Sequence, residues 1–425
     1  MQSNGSGFKM GAGETPNDDV SDGGRRVRFG PGLWVTAAFI GPGTVVTASK
    51  AGAGFGCELL WTIVLACVGT IVLQSLAARV GILSRHGLGE SIRQSFAGSR
   101  WRSVIVALVV AAIGVGNAAY QTGNFTGGVA GIRSLSGSPD WVWLIVLVGI
   151  TCTMIFTGGY RVVQFVLVGL VVLLSLSFLG AACWSMPPVS RLVDGLLIPR
   201  IRADRLTLIL ALIGTTIVPY NLFLHASRAA TTWQHAEPSR AIRQSDWDTI
   251  LSVSLGGLVT ASILITADAA FCGTQRSWTS TRDIANQLEP TLGPASRVAF
   301  AIGLFAAGLT SSITAPMATA YAVCGCLGWK ASPTSWPFRA IATSVIFVGG
   351  AVALLFGQSP SATIIFSQVA NGLLLPVVAV FLFVVVAKLS SKASIRFGTG
   401  RKWLAGFIIV AVALLGTWRM VITLR

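Results

Sequence analysis

The chain has 425 residues, of which 53% are hydrophobic and only 11% are charged, with 31 Lys and Arg residues against 15 Asp and Glu residues. Soluble globular proteins carry about 25% charged residues, so this composition argues against a cytosolic enzyme, a disordered protein and a nucleic-acid-binding protein. Together with a mean hydropathy of +0.73, it indicates a polytopic membrane protein whose basic excess reflects cytoplasmic loops facing anionic lipid.

The N-terminal segment, residues 1–29, is rich in Gly, Ser and Asp and lacks the apolar stretch of a cleavable signal. We expect a flexible cytoplasmic tail here, followed by a single transmembrane domain over residues 30–425. The seven cysteines lie mostly in apolar runs without regular spacing. This distribution is typical of packed hydrophobic side chains rather than of a disulfide framework.

Hydropathy predicts eleven helical spans, since one span needs about 20 mostly apolar residues. Apolar runs such as residues 144–148 do not alternate with polar residues, as the strands of a β-barrel would. The fold class is therefore expected to be all-α and integral to the membrane. The predicted spans are 33–52, 57–80, 104–132, 141–157, 162–184, 206–229, 249–271, 297–322, 339–357, 361–387 and 403–421.

The orientation in the membrane follows from the distribution of Lys and Arg. With the N-terminus in the cytoplasm, the cytoplasmic segments hold more basic residues than the outer segments, as the positive-inside rule requires. An odd number of spans then places the C-terminus outside. The loop at 185–205 is an exception, because it is basic although it lies on the outer side. We expect a multi-pass protein of the bacterial inner (plasma) membrane.

Two of the predicted spans are interrupted. The first contains Gly41-Pro42-Gly43, and the sixth contains Pro219 in its middle. Proline lacks the backbone N–H and glycine is conformationally free, so neither sequence favours a continuous helix. The alternative is that each proline only kinks a continuous helix, which is common in membranes.

The two interruptions occupy matching positions in two halves of five spans each. The halves are residues 30–200 and 201–390, and an extra helix follows at 400–425. Interrupted helices at matching positions of two halves mark the midplane site of secondary transporters. The sequence therefore predicts a LeuT-like 5+5 inverted repeat with broken helices 1 and 6 and a substrate site between the breaks.

Neutral polar side chains flank the breaks and neighbouring spans, whereas the acids lie in the tail, in loops or at span ends. A dehydrated divalent cation usually needs anionic ligands to offset its desolvation. Carbonyl and hydroxyl oxygens alone suit a monovalent ion, or a divalent ion that stays hydrated. The neutral candidates are Thr44, Thr215, Tyr220, Asn221 and Thr310 at the breaks and on span eight, and Asn117, Gln121 and Asn124 on span three.

Two further residues in the spans are candidates for the transport pathway. Lys50 lies beyond the first break toward the outer mouth, and the alternative is a lysine that extends to the membrane interface. His225 follows the second break, and a histidine within a span is a functional candidate. The alternative for His225 is a hydrogen bond between two helices.

At these residues the sequence resembles the NRAMP family of divalent metal transporters. The first break, Gly41-Pro42-Gly43-Thr44, looks like the family's Asp-Pro-Gly-Asn. Residues 218–225, Val-Pro-Tyr-Asn-Leu-Phe-Leu-His, resemble its Met-Pro-His-Asn-Leu-Tyr-Leu-His. Residues 307–314, Ala-Gly-Leu-Thr-Ser-Ser-Ile-Thr, resemble its Ala-Gly-Gln-Ser-Ser-Thr-Ile-Thr. The resemblance covers about residues 30–420 and implies the LeuT-like fold and transport of a divalent metal cation.

The resemblance also implies a binding site, and the sequence departs from the family there. Gly41 stands where the family has its metal-binding Asp, and Thr44 replaces the ligand Asn. Val218 replaces a Met whose soft sulfur favours transition metals, and Tyr220 replaces a His linked to proton movement. Thr215 takes the place of the residue that offers a backbone carbonyl. These departures argue against the family's usual binding of dehydrated Mn²⁺.

The proton relay of the family is likewise missing from its expected positions. Gly116 and Ala119 on span three stand where the resemblance places acidic residues, and Leu374 stands where a Gln ligand is common. His225 is retained. The identity of any metal ligand therefore remains open, and no buried carboxylate offers itself for proton coupling.

Several functions follow from these observations. An NRAMP-like transporter of a small inorganic ion, by family default a divalent metal cation, is the main hypothesis. The alternatives are a transporter of a small anion or neutral solute, and a transport-inactive receptor or scaffold of the same fold. We find no catalytic constellation and no cofactor-binding motif, and so expect no enzyme and no nucleic-acid partner. The expected partners are the substrate and the lipid bilayer, with a monomer or weak homo-oligomer as the assembly.

Overall fold

The computed structural model describes residues 40–158, 161–272, 281–392 and 399–424. All regular structure within these ranges is helical, either α-helix or short 3-10 turns. The all-α prediction is therefore confirmed. Because helices satisfy their own backbone hydrogen bonds, they are one of only two structures that can cross lipid.

The described chain forms fifteen α-helices, which we number in order. They are α1 (Pro42–Phe55), α2 (Leu60–Ser84), α3 (Leu88–Ser95), α4 (Arg102–Arg133), α5 (Asp140–Thr157), α6 (Arg161–Trp184), α7 (Val189–Leu197), α8 (Leu206–Thr216), α9 (Pro219–Thr232), α10 (Pro238–Phe271), α11 (Glu289–Leu292), α12 (Ser296–Leu327), α13 (Trp336–Phe356), α14 (Pro360–Lys392) and α15 (Thr399–Leu424).

The long helices coincide with the predicted spans. Among the described residues, nine helical stretches are long and apolar enough to cross a membrane, and the stretch Pro42–Ser84 combines two predicted spans. Helix α15 contributes a shorter apolar stretch, Gly406–Trp418. The total of eleven spans stays a prediction, because the first half of span one lies outside the described residues.

The sixth span is broken where the sequence predicts. Helix α8 ends at Thr216, and Ile217 and Val218 leave the helical region, with φ and ψ of −99° and 76° for Ile217 and −82° and 120° for Val218. Helix α9 then begins at Pro219, whose missing N–H costs nothing at a first helical position. In span one, α1 likewise begins at a proline, Pro42, after the extended residue Gly41.

Helix α10 is longer than predicted. The sequence analysis starts span seven at residue 249, but α10 begins at Pro238. Its first N–H groups are satisfied by the Glu237 carboxylate, which accepts from Ser239 N at 3.0 Å and from Arg240 N at 2.8 Å. As a result Asp246, expected outside a span, lies within α10, where it pairs with Arg79 of α2 at 2.9 Å.

Glycines allow the central helices to approach closely. A Cβ atom added to Gly308 of α12 would lie 2.7 Å from the Cα of Gly128 on α4, so α12 has no room for a side chain there. A Cβ on Gly214 of α8 would meet the backbone of α14 at Gln368 and Gly372. Small residues at helix crossings are typical of membrane bundles, where close van der Waals packing drives association.

The two ends of the bundle are named here by residues at either end of α2. The Glu58 end holds the start of α2, the 3-10 turn Gly56–Leu59 and the start of α8. The Arg85 end holds the end of α2 and the end of α9, since Arg85 donates to the carbonyl of Trp233 at 2.5 Å. The sequence predicts that the Arg85 end faces the cytoplasm.

Candidate functional site

The two breaks meet in the interior of the bundle. The Thr44 hydroxyl of α1 lies 2.9 Å from the Thr215 hydroxyl of α8, although the two residues are far apart in the sequence. Both threonines are buried. Thr44 and Thr215, which the sequence analysis places beside the two breaks, therefore join the two halves of the chain. We call the region around this contact the junction.

Three described helix ends converge at this junction. Helices α1 and α9 begin there, at Pro42 and Pro219, and α8 ends there at Thr216. Neither α1 nor α9 has an acidic residue in its first turn. A helix N-terminus carries a partial positive charge and a C-terminus a partial negative charge. The junction thus offers N–H donors and carbonyl acceptors without a carboxylate.

Gly41 faces hydroxyl groups from two other helices. A Cβ atom built on Gly41 would lie 3.0 Å from Ser311 Oγ of α12 and 3.4 Å from the Tyr120 hydroxyl of α4. Gly41 has φ −89° and ψ 176°, an extended conformation open to any residue. A side chain at this position would therefore meet two hydroxyl groups, and the Ser311 hydroxyl must shift by a few tenths of an ångström to admit it.

Gln368 of α14 covers the other side of the break. A Cβ on Gly43 would collide with the amide of Gln368, and one on Gly214 would collide with its carbonyl oxygen. The Gln368 Nε2 donates to Ser367 Oγ at 3.0 Å, while its buried Oε1 has no hydrogen-bond partner within the described chain. An acceptor oxygen in this position is suited to a ligand with donor groups or positive charge.

Sequence reasoning missed Tyr120, Ser311 and Gln368 as site residues. They come from α4, α12 and α14, which lie far from both breaks in the sequence. Ser311 lies within residues 307–314, one of the segments that carry the family resemblance, and this signal could have found it. Asn371, one turn beyond Gln368, is also buried, and neither atom of its side-chain amide has a partner in the described residues.

Val218 and Tyr220 belong to a cluster of buried side chains on the Arg85 side of the junction, which we call the apolar floor. Both are buried against Tyr120, together with Leu224, Ala315 and Ala318. The rings of Tyr120 and Tyr220 meet edge to face with centroids 5.5 Å apart, which is a favourable aromatic geometry. Val218 thus supplies hydrocarbon where a soft sulfur ligand would stand in the family.

The other two predicted binding residues differ in what they offer. Asn221 is buried, and both atoms of its side-chain amide lack a partner among the described residues. An unpaired buried amide is costly unless a ligand or water satisfies it. Thr310 is also buried, but its hydroxyl donates to the carbonyl of Ala306 at 2.7 Å. Asn221 is therefore available for a ligand, and Thr310 retains only acceptor capacity.

The three pathway candidates on α4 tie helices together. Asn117 Nδ2 donates to Thr319 Oγ1 at 2.5 Å, and Gln121 Nε2 donates to the carbonyl of Ser312 at 3.1 Å. Asn124 Nδ2 donates to Gln121 Oε1 at 3.3 Å. The side-chain amides of Asn117 and Gln121 thus join α4 to α12, and that of Asn124 is bonded within α4.

His225 and Lys50 lie away from the junction. The Nε2 of buried His225 lies 3.5 Å from the Thr249 hydroxyl of α10, so the histidine joins α9 to α10. This contact corresponds to the alternative that the sequence left open for His225. Lys50 lies on the second half of α1 and is half-buried toward the Glu58 end. Neither residue contacts the paired threonines in the described structure.

The carboxylates of Glu58 and Asp268 lie at the Glu58 end of the bundle, where arginines are close to them. Glu58 pairs with Arg200 at 2.5 Å and with Arg205, and Asp268 lies 4.0 Å from Arg191. Within the described ranges, no group of three or more His, Cys, Asp and Glu side chains could hold a metal ion. The junction of the breaks is therefore a site of neutral oxygen and nitrogen atoms.

Among the described residues, clefts enter the bundle from both the Arg85 end and the Glu58 end. A cleft of about 310 Å³ opens beside His86 and Arg228 and ends at Leu224 and Ile313, just below the apolar floor. At the opposite end, Gln287 Oε1 accepts from Ser49 of α1 at 3.3 Å and from Thr266 of α10 at 3.2 Å. Thr266 and Gln287 also line a cleft of about 340 Å³ on that side, so these hydrogen bonds stand at its wall.

A larger cavity of about 750 Å³ also lies at the Glu58 end, but it is separate from the junction. It is bounded by the ends of α4 and α13 and the starts of α5 and α14, and includes Arg133 and Asp140, which pair at 2.5 Å. None of the junction residues lines it. Its position between outer helices makes it a surface feature of the scaffold.

The fold and the junction together define a class of protein. The described residues are all-helical, and α8 ends where α1 and α9 begin at one buried junction, which is the arrangement of the LeuT-like 5+5 inverted repeat that the sequence predicted. Residues 32–422 match the natural resistance-associated macrophage protein-like (Nramp) family. The chain belongs to this family.

Curated relatives of similar length are named as divalent metal cation transporters. The divalent metal cation transporter MntH of Deinococcus radiodurans is 28% identical over 395 residues, which is 90% of this chain and 88% of that protein. The divalent metal cation transporter MntH of Brucella suis is 28% identical over 404 residues, covering 91% of this chain and 86% of that protein.

Solved structures confirm the fold. A mutant of the Eremococcus coleocola manganese transporter superposes with a TM-score of 0.69 at 21% identity, covering 93% of this chain and 94% of that one. Mhp1, a nucleobase-cation-symport-1 family transporter in a closed conformation, gives a TM-score of 0.55 at 13% identity, covering 92% of this chain and 91% of that one.

Proposed function

We propose that this protein is a secondary transporter that moves a small inorganic ion, by family default a divalent metal cation, through the junction of α1, α8 and α9. The observation that carries the proposal is the hydrogen bond between Thr44 and Thr215 at the meeting point of two broken helices. Family membership supports a metal ion as the substrate class. Placement in a bacterial inner membrane, with the Arg85 end in the cytoplasm, belongs to the same proposal.

The chemistry of the junction limits how such an ion binds. Removing a divalent cation from water is costly, and carboxylates usually offset that cost. The junction offers hydroxyls, amides and backbone groups instead. A divalent ion would therefore keep most of its hydration shell, with Thr44, Asn221 and Gln368 bonded to its waters. Affinity for such a hydrated ion is expected to be low.

In this proposal, transport requires two groups of contacts to open in turn, one on each side of the junction. In the present conformation the Gln287 hydrogen bonds link α1 and α10 on the Glu58 side, and the floor around Tyr120 and Tyr220 separates the site from the cleft at the Arg85 end. Opening the floor would release an ion toward the Arg85 end. Separating Gln287 from Ser49 would admit one from the Glu58 end.

A small anion or neutral solute is a second candidate, favoured by the helix ends. Two N-termini, those of α1 and α9, point at the junction without an acidic residue in either first turn. Such ends attract negative charge, and the unpartnered Asn221 side chain adds a donor. This arrangement would suit a carboxylate or bicarbonate group.

A proteoliposome uptake panel tests the proposal. The panel contains Mn²⁺, Mg²⁺, monovalent ions, bicarbonate and small neutral solutes, with empty liposomes as the baseline. We expect saturable uptake of a metal ion, reduced in a Thr215→Val variant because the junction loses its hydrogen bond. The matched control is Ser190→Ala, on the exposed surface of α7 far from the path, which should transport like the parent protein.

The other outcomes separate the alternatives. Saturable uptake of bicarbonate or a neutral solute, with none of any metal ion, would overturn the cation proposal in favour of the second candidate. Absence of uptake for every solute, in protein that is folded and correctly inserted, would indicate a receptor or scaffold of this fold.

A further inference from the structure

We propose that α7 lies flat in the phospholipid head-group layer and that the bilayer surface thereby positions the turn between α1 and α2. Helix α7 spans Val189–Leu197 in the connection between α6 and α8. The inference depends on the membrane location of the protein and not on which substrate it carries.

The nine residues of α7 divide into three distinct faces. Successive residues are rotated by about 100° around a helix axis. Leu192 and Gly195 share the face that packs on the protein, where a Cβ on Gly195 would collide with the carbonyl oxygen of Cys57. The polar face holds Ser190, Arg191 and Asp194, all of them exposed.

The third face of α7 is apolar and uncovered. Val189 and Leu197 are each 73% exposed; Val193, which lies between them on the helix surface, is 44% exposed, and Leu196, on the other side of Val189, is 42% exposed. A helix that shows a protein face, an apolar face and a polar face in turn has the pattern of an interfacial helix. In water the apolar face would have no partner.

The apolar face continues the lipid-facing surface of α6. Phe165, Leu173 and Leu176 of α6 are exposed along its length, and the helix ends at Trp184, which is 78% exposed. Tryptophan is enriched at the level of the lipid head groups. Since α7 begins five residues after Trp184, its apolar face joins this surface at the membrane interface.

The charge of the surrounding loop matches a phosphate-rich layer. Arg191 and Arg202 expose 66% and 70% of their side chains, although each also lies near a carboxylate, Arg191 4.0 Å from Asp268 and Arg202 3.7 Å from Asp204. Basic residues near a membrane surface interact favourably with anionic lipid. The basic character of the loop, an exception to the expected charge distribution, is explained if these arginines contact lipid phosphates.

Helix α7 and its flanking loop hold the turn between α1 and α2. In addition to the Gly195–Cys57 contact, Arg200 pairs with Glu58 at 2.5 Å. The Cys57 thiol in turn donates to Asp268 of α10 at 3.1 Å. Movement of α7 relative to the bilayer would therefore move the Glu58 end of α1, whose other end begins at the candidate site.

Spin-label accessibility in lipid nanodiscs tests this placement. Val193→Cys and Leu197→Cys report the apolar face, and Ser190→Cys is the matched control on the polar face. Exposed Cys183 is replaced by Ser in all variants, which are labelled and placed in phosphatidylcholine nanodiscs with or without phosphatidylglycerol. We expect the labels at Val193 and Leu197 to show a several-fold higher ratio of oxygen to nickel-chelate accessibility than the label at Ser190, with a further shift when phosphatidylglycerol is present.

Two results would overturn the inference. Nickel-chelate accessibility at Val193 as high as at Ser190 would place the apolar face of α7 in water. Low accessibility to both oxygen and nickel chelate at Val193 and Leu197 would show that a protein surface covers the face, such as a second copy of this chain. Equal results in the two lipid mixtures would remove the role of lipid with a net negative charge.

Discussion

The junction of the broken helices and the two ends of the bundle both bury polar side chains, but they do so with different chemistry. At the ends, carboxylates are paired with arginines, as in Glu58 with Arg205 and Asp246 with Arg79. At the junction, hydroxyls face hydroxyls, as in Thr44 with Thr215. The same chain thus retains buried charge where it fixes helices and lacks it where an ion would bind.

Buried polar groups thus have two different roles, one in holding helices together and one in binding an ion. An ion pair between helices is permanent, so its desolvation is offset by its partner at all times. A carboxylate at a transport site is satisfied only while a cation is bound, and it sets the affinity for that cation. A junction of neutral groups has no such dependence. The contrast predicts that charge removed from the ends damages stability, whereas charge added to the junction changes binding.

The largest expected effect is at the buried ion pair. Asp246→Ala leaves Arg79 without its carboxylate in a buried position, and removing one partner of such a pair costs about 3 kcal/mol or more. We expect a clear loss of thermal stability, measured by intrinsic fluorescence in detergent. The double variant Arg79→Met with Asp246→Leu removes both charges and should recover most of the loss. A double variant as unstable as Asp246→Ala would show that packing, not charge, is responsible.

At the junction, adding one carboxylate should create cation affinity. Gly41→Asp places the new side chain beside Ser311 Oγ and the Tyr120 hydroxyl, which can bond it, and the extended backbone of Gly41 accepts the change. We expect Mn²⁺ to bind about 100-fold more tightly, ~2.8 kcal/mol, as measured by calorimetry. Gly41→Asn is the neutral control of similar shape. Equal gains for Asn and Asp would contradict an electrostatic origin.

The hydroxyl pair at the junction should contribute less. Removing one hydroxyl by Thr44→Val or Thr215→Val breaks the 2.9 Å hydrogen bond, and such a bond contributes about 1 kcal/mol to stability. In a double-mutant cycle on thermal unfolding, the coupling between the two positions should be about 1 kcal/mol. Independent, additive effects would show that the two breaks are not joined in solution.

The smallest expected effect is the cap of α10 at the Arg85 end. The backbone N–H groups of Ser239 and Arg240 hold the pKa of Glu237 below its usual range. Because the folded-state pKa is lowered, the stabilisation is present at neutral pH and is lost as the pH falls through that pKa. Glu237→Gln should therefore lower the unfolding temperature slightly at neutral pH and have no effect in acid. A difference that persists in acid would exclude the carboxylate as its source.

Much of the fold was readable from the sequence because it depends on local composition. Long apolar runs gave the spans, and Pro219 between polar residues gave the break in span six. The start of α10 was missed because its first turns are charged. Hydropathy detects only the apolar part of a helix, while the Glu237 cap and the Arg79–Asp246 pair extend α10 beyond it.

The candidate site was only partly readable. Thr44 and Thr215 were found because they adjoin the breaks, and the absence of central acids followed from locating each Asp and Glu. Tyr120, Ser311 and Gln368 were missed because their proximity is created by packing of helices distant in sequence. The hydrogen-bond partners of Asn117 and His225 could not be predicted either. The sequence of a span does not show whether a polar side chain faces a ligand or a neighbouring helix.

The most direct test of a neutral transport site is calorimetric titration of the unmodified protein with Mn²⁺. Without a carboxylate at the junction, we predict no saturable binding in the micromolar range, while Gly41→Asp titrated under the same conditions binds measurably. Tight, saturable Mn²⁺ binding by the unmodified protein that is lost on changing Thr44 or Tyr220 would contradict the account, because it would show that neutral groups at this junction hold a transition metal ion.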